Sequence, residues 1–307
     1  MPDLKIGLVG LDTSHVVAFA KCFNQPDHAE HIAGARIACA FPGGSSDFAM
    51  SHSRVENFTA QLRDDFHVEM LDSAEKVAET VDLVFITAVD GRQHLDLVRK
   101  TIPAGKPTFI DKPLATSTVD AREIFKLAEQ HHVPLMSCSS LRYAQSLEEA
   151  LADDAKGAIV GCDVFGPMNI EPPLPGLYWY GIHSVELLNR VMGRGCKQVK
   201  ATVTDTHDVI SATWPDGRAA AIHGLRGAHH NFGVTIHRAK GFQQVDCAAP
   251  GKRSWYGSML DAILRSLPKG KSEVDPADTL EIMRLIEAAN ESRAGGAGGA
   301  GGAAVTL

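Results

Sequence analysis

The sequence predicts an α/β protein with two domains. The first is a doubly wound parallel sheet, and the second is an α+β domain with a largely antiparallel, open sheet. Up to about residue 140, strand patterns alternate with amphipathic helix patterns. Beyond about residue 142, strand patterns joined by a hairpin signal replace them. The 307 residues, 44% hydrophobic and 22% charged, suffice for two ordinary soluble domains.

In the first domain, the apolar run Lys5–Gly10 predicts a buried strand, and Ser14–Asn24 predicts the helix that follows. The continuous apolar run Asp82–Ala88 is typical of a strand buried on both faces of a parallel sheet. The other predicted elements are strands Ala35–Ala40, Val68–Leu71, Thr108–Ile110 and Leu135–Ser140, and helices Val55–Phe66, Ser73–Thr80, Arg92–Ala104 before the C-cap Gly105, and one from the capping box Ser117–Asp120 to Gln130.

In the second domain, Pro215-Asp216-Gly217 predicts a hairpin turn, and Pro276 is favourable at the first turn of the last helix. The predicted strands are Ala158–Phe165, Lys200–Thr204, Val209–Trp214, Arg218–Leu225, Phe232–His237 and Phe242–Cys247, and the predicted helices are Ala144–Leu151, one from near His183 to Val191, Trp255–Leu267 and Pro276–Ser292. We expect domains at 1–142 and 143–294 and a flexible Gly/Ala tail at 295–307, whose last four residues either pair as an edge strand or fray.

Composition excludes several classes of function. The net charge of −7 and the absence of a basic run longer than Lys252-Arg253 argue against a nucleic-acid partner. No apolar stretch approaches the ~18 residues that cross a bilayer. The first apolar run is too short for a signal peptide and is flanked by Asp3 and Asp12. The six cysteines are scattered without a C-x-x-C pair, which favours reduced thiols and a cytoplasmic location.

The turn Gly10-Leu11-Asp12-Thr13-Ser14-His15 joins the first strand to the first helix. In doubly wound sheets this turn binds a nucleotide's phosphates, but only the first glycine of G-x-G-x-x-G is present. Asp12 could cap the helix by accepting hydrogen bonds from the amides of Ser14 and His15, where it would repel a diphosphate. The Thr13 and Ser14 hydroxyls could instead donate to phosphate. Asp12 and His15 could also form a functional pair.

Three further motifs support a family resemblance. They are the run from Ala104 to Ala115 (A-G-K-P-x-F-x-D-K-P-L-A), Gly91-Arg92-Gln93-His94 after the fourth long strand, and Gly181-x-His183-x-x-Glu186 before the antiparallel strands. With the altered turn, they resemble the glucose–fructose oxidoreductase / inositol dehydrogenase (Gfo/Idh/MocA) family over nearly the whole chain. The resemblance implies a Rossmann-like domain that binds NAD or NADP, and an oxidoreductase acting on a sugar, cyclitol or related polyol. It also implies a homo-oligomer joined through the second domain's sheet.

Lys112 and His183 are the candidate catalytic residues. Lys112 follows a strand's carboxyl end, where its ammonium can hydrogen-bond a substrate hydroxyl. His183 has the side chain suited to accept that hydroxyl's proton. The candidate cofactor-binding residues are Gly10, Asp12, Thr13, Ser14, His15, Asp90, His94, Asp111 and Pro113, and the candidate substrate-binding residues are Arg142, Trp179, Tyr180 and Glu186.

The chain also departs from the family pattern. No acid ends the second strand to bind a ribose, and Gly43-Gly44-Ser45-Ser46 could hold a 2′-phosphate, although without a nearby arginine, so NAD and NADP both stay open. Trp179 replaces the aspartate expected before His183. Glu186 or Asp111 could substitute for it, Glu186 could pair with His183, and the aromatic run Tyr178–Tyr180 could form a platform for a sugar or simply pack in the core.

Two further possibilities are a metal site in the second domain and a function without redox chemistry. Histidines of the second sheet could bind a metal only if they converged with a carboxylate, and adjacent strand residues such as His229 and His230 point to opposite faces, so we predict no metal site. The altered turn and Trp179 also allow a non-redox member of the family. Such a protein would be a sugar-binding or regulatory protein, or a lyase or isomerase, with weakened or lost dinucleotide binding.

Overall fold

The computed structural model of the protein describes residues 3–295 and 302–307. The described chain divides into two compact units. One contains the chain up to Cys138 together with Tyr256–Pro276, and the other contains Ser139–Trp255 and the described residues from Ala277 onward. The predicted boundaries 1–142 and 143–294 are linear and lack this return of 256–276 to the first unit. As functional limits they stay a proposal.

Helices occur in both units. In chain order they are α1 (His15–Asn24), α2 (Ala49–Phe66), α3 (Ala74–Thr80), α4 (His94–Thr101), α5 (Thr118–Gln130), α6 (Gln145–Ala152), α7 (Gly181–Met192), α8 (Trp255–Ser266) and α9 (Pro276–Ala294). Short 3-10 turns occupy Gly91–Gln93, Ile102–Ala104, Ser140–Tyr143, Gly176–Tyr178 and Leu267–Lys269.

The first unit contains a six-stranded parallel sheet in the order β3-β2-β1-β4-β5-β6, which confirms the doubly wound prediction. Its strands are β1 (Leu4–Val9), β2 (Ala35–Phe41), β3 (Glu69–Met70), β4 (Leu83–Ile86), β5 (Thr108–Asp111) and β6 (Leu135–Cys138). Val9 pairs with Ile86, and Ile86 pairs with Ile110, so β1, β4 and β5 end at the same level of the sheet. The residues that follow these strands therefore lie side by side.

Two predicted helices differ from the observed ones. The predicted helix Arg92–Ala104 is divided into a 3-10 turn, α4 and a second 3-10 turn, because Pro103 has no N–H and disfavours the α conformation of the residue before it. Helix α2 begins at Ala49 rather than Val55. Its first turn was missed because the residue that it buries is Ser51, a polar residue that interrupts the apolar pattern.

The second unit contains a mixed sheet in the order β12-β11-β7-β10-β9-β8-β13. Its strands are β7 (Ile159–Pro167), β8 (Gln198–Val203), β9 (His207–Thr213), β10 (Ala219–Leu225), β11 (Gly233–Arg238), β12 (Gly241–Asp246) and β13 (Val305–Thr306). Of these pairings only that of β10 with β7 is parallel, so the prediction of a largely antiparallel sheet is confirmed. Of the predicted tail, residues 296–301 lie outside the described residues, and β13 is an edge strand paired with β8.

Candidate functional site

Gly10 directly follows β1 and turns the chain toward α1. Its φ is +94°, a conformation that side chains rarely adopt, and a Cβ there would lie 2.5 Å from backbone atoms of Ala88. Thr87 Oγ1 also donates a 2.6 Å hydrogen bond to the Gly10 carbonyl. Only glycine therefore allows the residues after β1 and β4 to approach this closely.

Asp12 does not cap α1, so the predicted N-cap is wrong. Its carboxylate is fully buried, accepts a 2.6 Å bond from Ser51 Oγ of α2, and accepts a 2.8 Å bond from the Val89 amide. Burial raises the pKa of Asp12 against the effect of these two donors. The Ser51 hydroxyl in turn accepts a 2.7 Å bond from the Ser45 amide. At the carboxyl edge of the sheet, Asp12 therefore connects the turn after β1 to the start of α2 and to the segment after β4.

The start of α1 carries no side-chain cap. Ser14 stands at the N-cap position, is exposed, and makes no capping hydrogen bond with its hydroxyl. Thr13 is buried, and its Oγ1 accepts only a long 3.4 Å bond from the His15 amide. The Val16 amide likewise makes only a long 3.4 Å bond, to the Thr13 carbonyl, so these weakly bonded amides and the positive end of the helix dipole could still bind an anion.

His15 pairs with Asp111 rather than with Asp12, so the predicted Asp12–His15 pair is wrong. Asp111 ends β5, and its Oδ2 lies 2.5 Å from His15 Nδ1. The imidazole also packs against aromatic rings of the same unit, with centroid distances of 5.0 Å to Tyr256 and 5.9 Å to Phe19. Tyr256 of α8 thus helps to hold His15 in place. No local sequence pattern predicted this contact.

Asp111 and Lys112 have opposite charges and perturbed pKa values. Burial opposes the ionisation of Asp111, but His15 and Lys112 outweigh it and lower its pKa to about 2. Burial lowers the pKa of the half-buried Lys112, and the Asp111 carboxylate opposes that shift only in part. The Lys112 amide donates a 2.8 Å bond to Asp111 Oδ1, and the peptide to the buried Pro113 is cis. A lysine with a lowered pKa at the end of a strand can donate or accept a proton near neutral pH more readily than an exposed one.

An arginine does lie beside the loop after β2, contrary to the sequence prediction. Arg92 forms a forked pair with Asp47, 3.0 Å on each branch, and binds Asp90 through Nε at 2.9 Å and Nη2 at 2.7 Å. Ser45 Oγ donates a 2.5 Å bond to Asp90 and accepts a 2.6 Å bond from Gln93. Burial opposes ionisation of Asp90, but Arg92 and Ser45 outweigh it and lower its pKa.

His94 is fully buried at the first residue of α4. Its Nε2 lies 2.8 Å from the Ala88 carbonyl and its Nδ1 lies 3.1 Å from the Leu114 carbonyl. The ring therefore joins the segment after β4 to the segment after Pro113.

In the second unit, His183 lies in the first turn of α7 and forms a hydrogen bond with Ser139. Its Nδ1 lies 2.7 Å from Ser139 Oγ, which also accepts a 3.2 Å bond from the Leu141 amide. Phe232 and Tyr180 pack edge-on against the imidazole, with centroid distances of 5.4 and 5.7 Å. The Ser139 hydroxyl and the two aromatic rings therefore hold the imidazole of His183 in one orientation.

Glu186 and Arg142 form a buried ion pair. Arg142 Nη1 donates a 2.8 Å bond to Glu186 Oε1, and Glu186 Oε2 accepts a 3.2 Å bond from the Ser139 amide. A second branch of Arg142 reaches Asp278 of α9 at 3.1 Å. Burial raises the pKa of Glu186 against the effect of Arg142. This pair supports the segment that carries Ser139.

Trp179 and Tyr180 are half-buried and pack edge-to-face, with ring centroids 5.7 Å apart, whereas Tyr178 is buried. Two of the three predicted platform residues thus keep part of their surface exposed.

The remaining candidates for chemistry lie elsewhere. Groups of three or more metal-ligating side chains suited to an ion are absent from residues 3–295 and 302–307. His237 Nε2 instead pairs with Asp163 at 2.7 Å on the exposed sheet face. All six cysteines are buried thiols. Burial raises the pKa of Cys39 and Cys196 to about 11 and that of Cys162 and Cys247 to about 12, which makes them poor nucleophiles. None of the helices described in the structure is long and apolar enough to cross a membrane.

Solved structures of inositol dehydrogenases share the fold of this protein. The crystal structure of myo-inositol 2-dehydrogenase from Lactobacillus plantarum is 15% identical with a TM-score of 0.78, and 99% of each chain is covered. Myo-inositol dehydrogenase from Lactobacillus casei, solved with NAD(H) and myo-inositol, is 15% identical with a TM-score of 0.76, covering 99% of this chain and 97% of that one. At these identities the likeness shows the fold alone.

The sequence itself matches at two levels. It is 25% identical over 142 residues to the uncharacterized protein YMR315W of Saccharomyces cerevisiae, which covers 44% of this chain and 35% of that protein. This chain therefore spans about a third of the length of the curated relative. Residues 5–138 match the model of an oxidoreductase family with an NAD-binding Rossmann fold, the region that holds Gly10, Asp111 and Lys112. The matching model is that of the Gfo/Idh/MocA family of oxidoreductases, and the match covers the Rossmann region of the first unit, less than half of the chain.

Proposed function

We propose that this protein is an NAD(P)-dependent oxidoreductase that oxidises a CH–OH group of a sugar, cyclitol or related polyol. The observation that carries the proposal is the edge of the first sheet, where an uncapped helix start stands beside Lys112 at the end of β5. The family match covers the same residues. Relatives of this fold include an enzyme solved with NAD(H) and myo-inositol, which supports the substrate class.

The residues at this edge fit a dinucleotide. In the sequence, Asp12 was the main argument against diphosphate binding. Its carboxylate accepts hydrogen bonds from Ser51 and Val89 and not from the amides of α1. The exposed Ser14 leaves the helix start open to a diphosphate. Of the predicted set, Thr13, Ser14 and His15 would contact the coenzyme first, while the others shape the edge: Gly10, Asp12, Asp90, His94, Asp111 and Pro113. When bound, a nicotinamide ring supplies the hydride acceptor.

Lys112 would hold the substrate oxygen. Its ammonium can donate a hydrogen bond to the reacting hydroxyl and stabilise negative charge as the proton leaves. The lowered pKa makes the lysine better able to exchange a proton.

His183 would accept the proton of the reacting hydroxyl. Ser139, bonded to Nδ1, would hold the ring in one orientation, the task that a carboxylate performs in most His dyads. Trp179 and Tyr180 would offer aromatic surface to the substrate, while Arg142 and Glu186, bonded to each other, would support Ser139.

A second candidate function is a non-redox member of the family, a sugar-binding protein or a lyase or isomerase. The neutral hydroxyl that holds His183 favours it, because such a partner stabilises an imidazolium less than a carboxylate does. Under this reading coenzyme binding would be weak.

We also propose a homo-oligomer joined through the open face of the seven-stranded sheet, and a cytoplasmic location. The exposed side chains of Phe165 and Phe242 on β7 and β12 support the first. The buried thiols support the second.

The test is turnover with a panel of inositols, aldoses and alditols, followed by the absorbance of the reduced nicotinamide. His183→Ala should lower kcat by about 10²–10⁴-fold, because a general base is lost. Ser139→Ala should lower kcat with little change in KM, because orientation and not binding is lost. His131→Ala, which changes an exposed histidine at the C-cap of α5, is the matched control and should behave as wild type.

Two results would contradict this proposal. Full turnover by His183→Ala would remove that residue from the mechanism. Binding of NADH without turnover of any panel member would favour the non-redox candidate.

A further inference from the structure

The loop after β2, residues 42–47, is closed by a network of four side chains: Ser45, Asp47, Asp90 and Arg92. In doubly wound domains this loop carries the group that recognises the 2′ position of the adenosine ribose. A free 2′-hydroxyl can donate a hydrogen bond to a carboxylate, whereas a 2′-phosphate is a dianion that requires hydrogen-bond donors. The hydrogen-bond polarity of the loop therefore decides between the two coenzymes.

All but one of the side-chain donors of this network already bond to a carboxylate within it. Arg92 gives its Nε proton and one Nη2 proton to Asp90, and its other Nη2 proton and one Nη1 proton to Asp47. That accounts for four of the five N–H groups of a guanidinium. The Ser45 hydroxyl gives its proton to Asp90.

The acceptors of this network are not all used. The Asp47 side chain is 67% exposed, and each of its oxygens accepts one bond from Arg92. A carboxylate offers about four acceptor positions, so lone pairs on both oxygens of Asp47 can accept from a ribose diol. Arg92 holds the carboxylate in one orientation while doing so.

The charge of the network points the same way. It contains the carboxylates of Asp47 and Asp90 and the single guanidinium of Arg92, so its net charge is negative. A phosphate dianion brought here would face two carboxylates and a guanidinium that both of them already neutralise.

We propose that the protein selects NAD(H) over NADP(H), with Asp47 as the acceptor for the adenosine ribose hydroxyls and Arg92 as the residue that positions it. Asp47 thus replaces, six residues after β2, the acid that is missing at the strand's end. This inference rests on the proposed coenzyme binding, and it argues against the alternative that Gly43-Gly44-Ser45-Ser46 holds a 2′-phosphate.

The test is the equilibrium binding of NADH and of NADPH to the full chain, each measured by titration calorimetry and by nicotinamide fluorescence. Wild type should bind NADH more tightly than NADPH by about tenfold or more. Asp47→Ser removes the acceptor and frees two Arg92 donors. It should weaken NADH binding and strengthen NADPH binding, so that the preference shrinks by about tenfold or reverses.

Asp64→Ser is the matched control, because it also removes one exposed carboxylate paired with an arginine, but in the last turn of α2. It should leave the NADH/NADPH ratio as in wild type. Equal affinities in wild type, a preference for NADPH, or the same change in both variants would overturn the inference while leaving coenzyme binding intact. Failure of wild type to bind either nucleotide would overturn the proposed function itself.

Discussion

From the sequence, the carboxylate of Asp12 would be expected to repel a bound diphosphate. In the structure, this carboxylate instead connects three segments of the first unit. Its two hydrogen bonds connect the start of α2 and the segment after β4 to the turn after β1. The carboxylate is thereby kept away from the amides that a diphosphate would bind. The sequence therefore predicted an acidic side chain at this turn, but the orientation of that side chain depends on its hydrogen-bond partners Ser51 and Val89.

At the residue scale, Asp111 gives a stability prediction with a defined pH dependence. Its folded-state pKa of about 2 lies below the unfolded value of 3.8, so its contribution is complete above about pH 4 and is lost as the pH falls toward 2. Chemical denaturation should show Asp111→Asn to be about 2 kcal/mol less stable than wild type at pH 6. The gap should narrow by pH 3.

Asp96→Asn is the control, because Asp96 is exposed and pairs only with Arg99 on the surface of α4. It should differ from wild type by less than about 1 kcal/mol at either pH. A gap for Asp111→Asn that is the same at pH 6 and pH 3 would show that the His15–Asp111 pair is not what stabilises the carboxylate.

The sequence predicted the positions of Lys112 and His183 because each lies in a short motif at an element's end. It did not predict their partners. Ser139 contacts His183 from 44 residues away, and His15 reaches Asp111 across 96 residues. Side-chain pairs at such separations have no periodic signature, so they emerge only when the sheet and α7 are assembled. Arg92 was the exception with a local signal, since it follows Asp90 by two residues.

At the element scale, the 3-10 turn Ser140–Tyr143 is held against α7 and α9 by Arg142. Leu141 and Tyr143 of this turn are buried, and Glu186 on α7 and Asp278 on α9 both bind the guanidinium of Arg142. This ion pair therefore fixes the element that follows Ser139.

Removing Arg142 should be severe because it leaves the carboxylate of Glu186 buried without its cation. Arg142→Ala should lower the free energy of unfolding by about 3–5 kcal/mol. The double variant Arg142→Ala/Glu186→Gln should be more stable than Arg142→Ala alone, because the uncompensated charge is gone. Arg265→Ala, which breaks two exposed ion pairs of α8, should cost less than about 1 kcal/mol. Equal losses in Arg142→Ala and Arg265→Ala would contradict this account.

Most elements could be predicted because periodicity and end signals are local. Ser117 accepts a hydrogen bond from the Asp120 amide, as its capping box predicts. The errors fell where a polar residue was buried, at Ser51 in α2, and where Pro103 interrupted a helical pattern.

At the scale of the whole molecule, the class of fold followed from the change of pattern near residue 142, but the course of the chain did not. The segment Tyr256–Pro276 belongs to the first unit, although it follows all but one of the strands of the second sheet. An amphipathic helix pattern predicts that one face of the helix is buried, but it does not predict which of the two sheets buries that face. The ring of Tyr256 against His15 is a product of that return.

For the protein as a whole, we expect the corner after β1 to bind a nicotinamide coenzyme through the start of α1. The direct measurement is the change in unfolding free energy on adding NADH, for wild type, Ser14→Glu and Val119→Glu. Glu at position 14 places a carboxylate where the diphosphate would bind and should not harm the apo fold, since an acid suits a helix N-terminus. Val119 is 72% exposed in the first turn of α5 and provides the matched control.

The account predicts that NADH at a hundredfold excess over Kd stabilises wild type and Val119→Glu by about 2.7 kcal/mol and fails to stabilise Ser14→Glu. No stabilisation of wild type, or full stabilisation of Ser14→Glu, would contradict it.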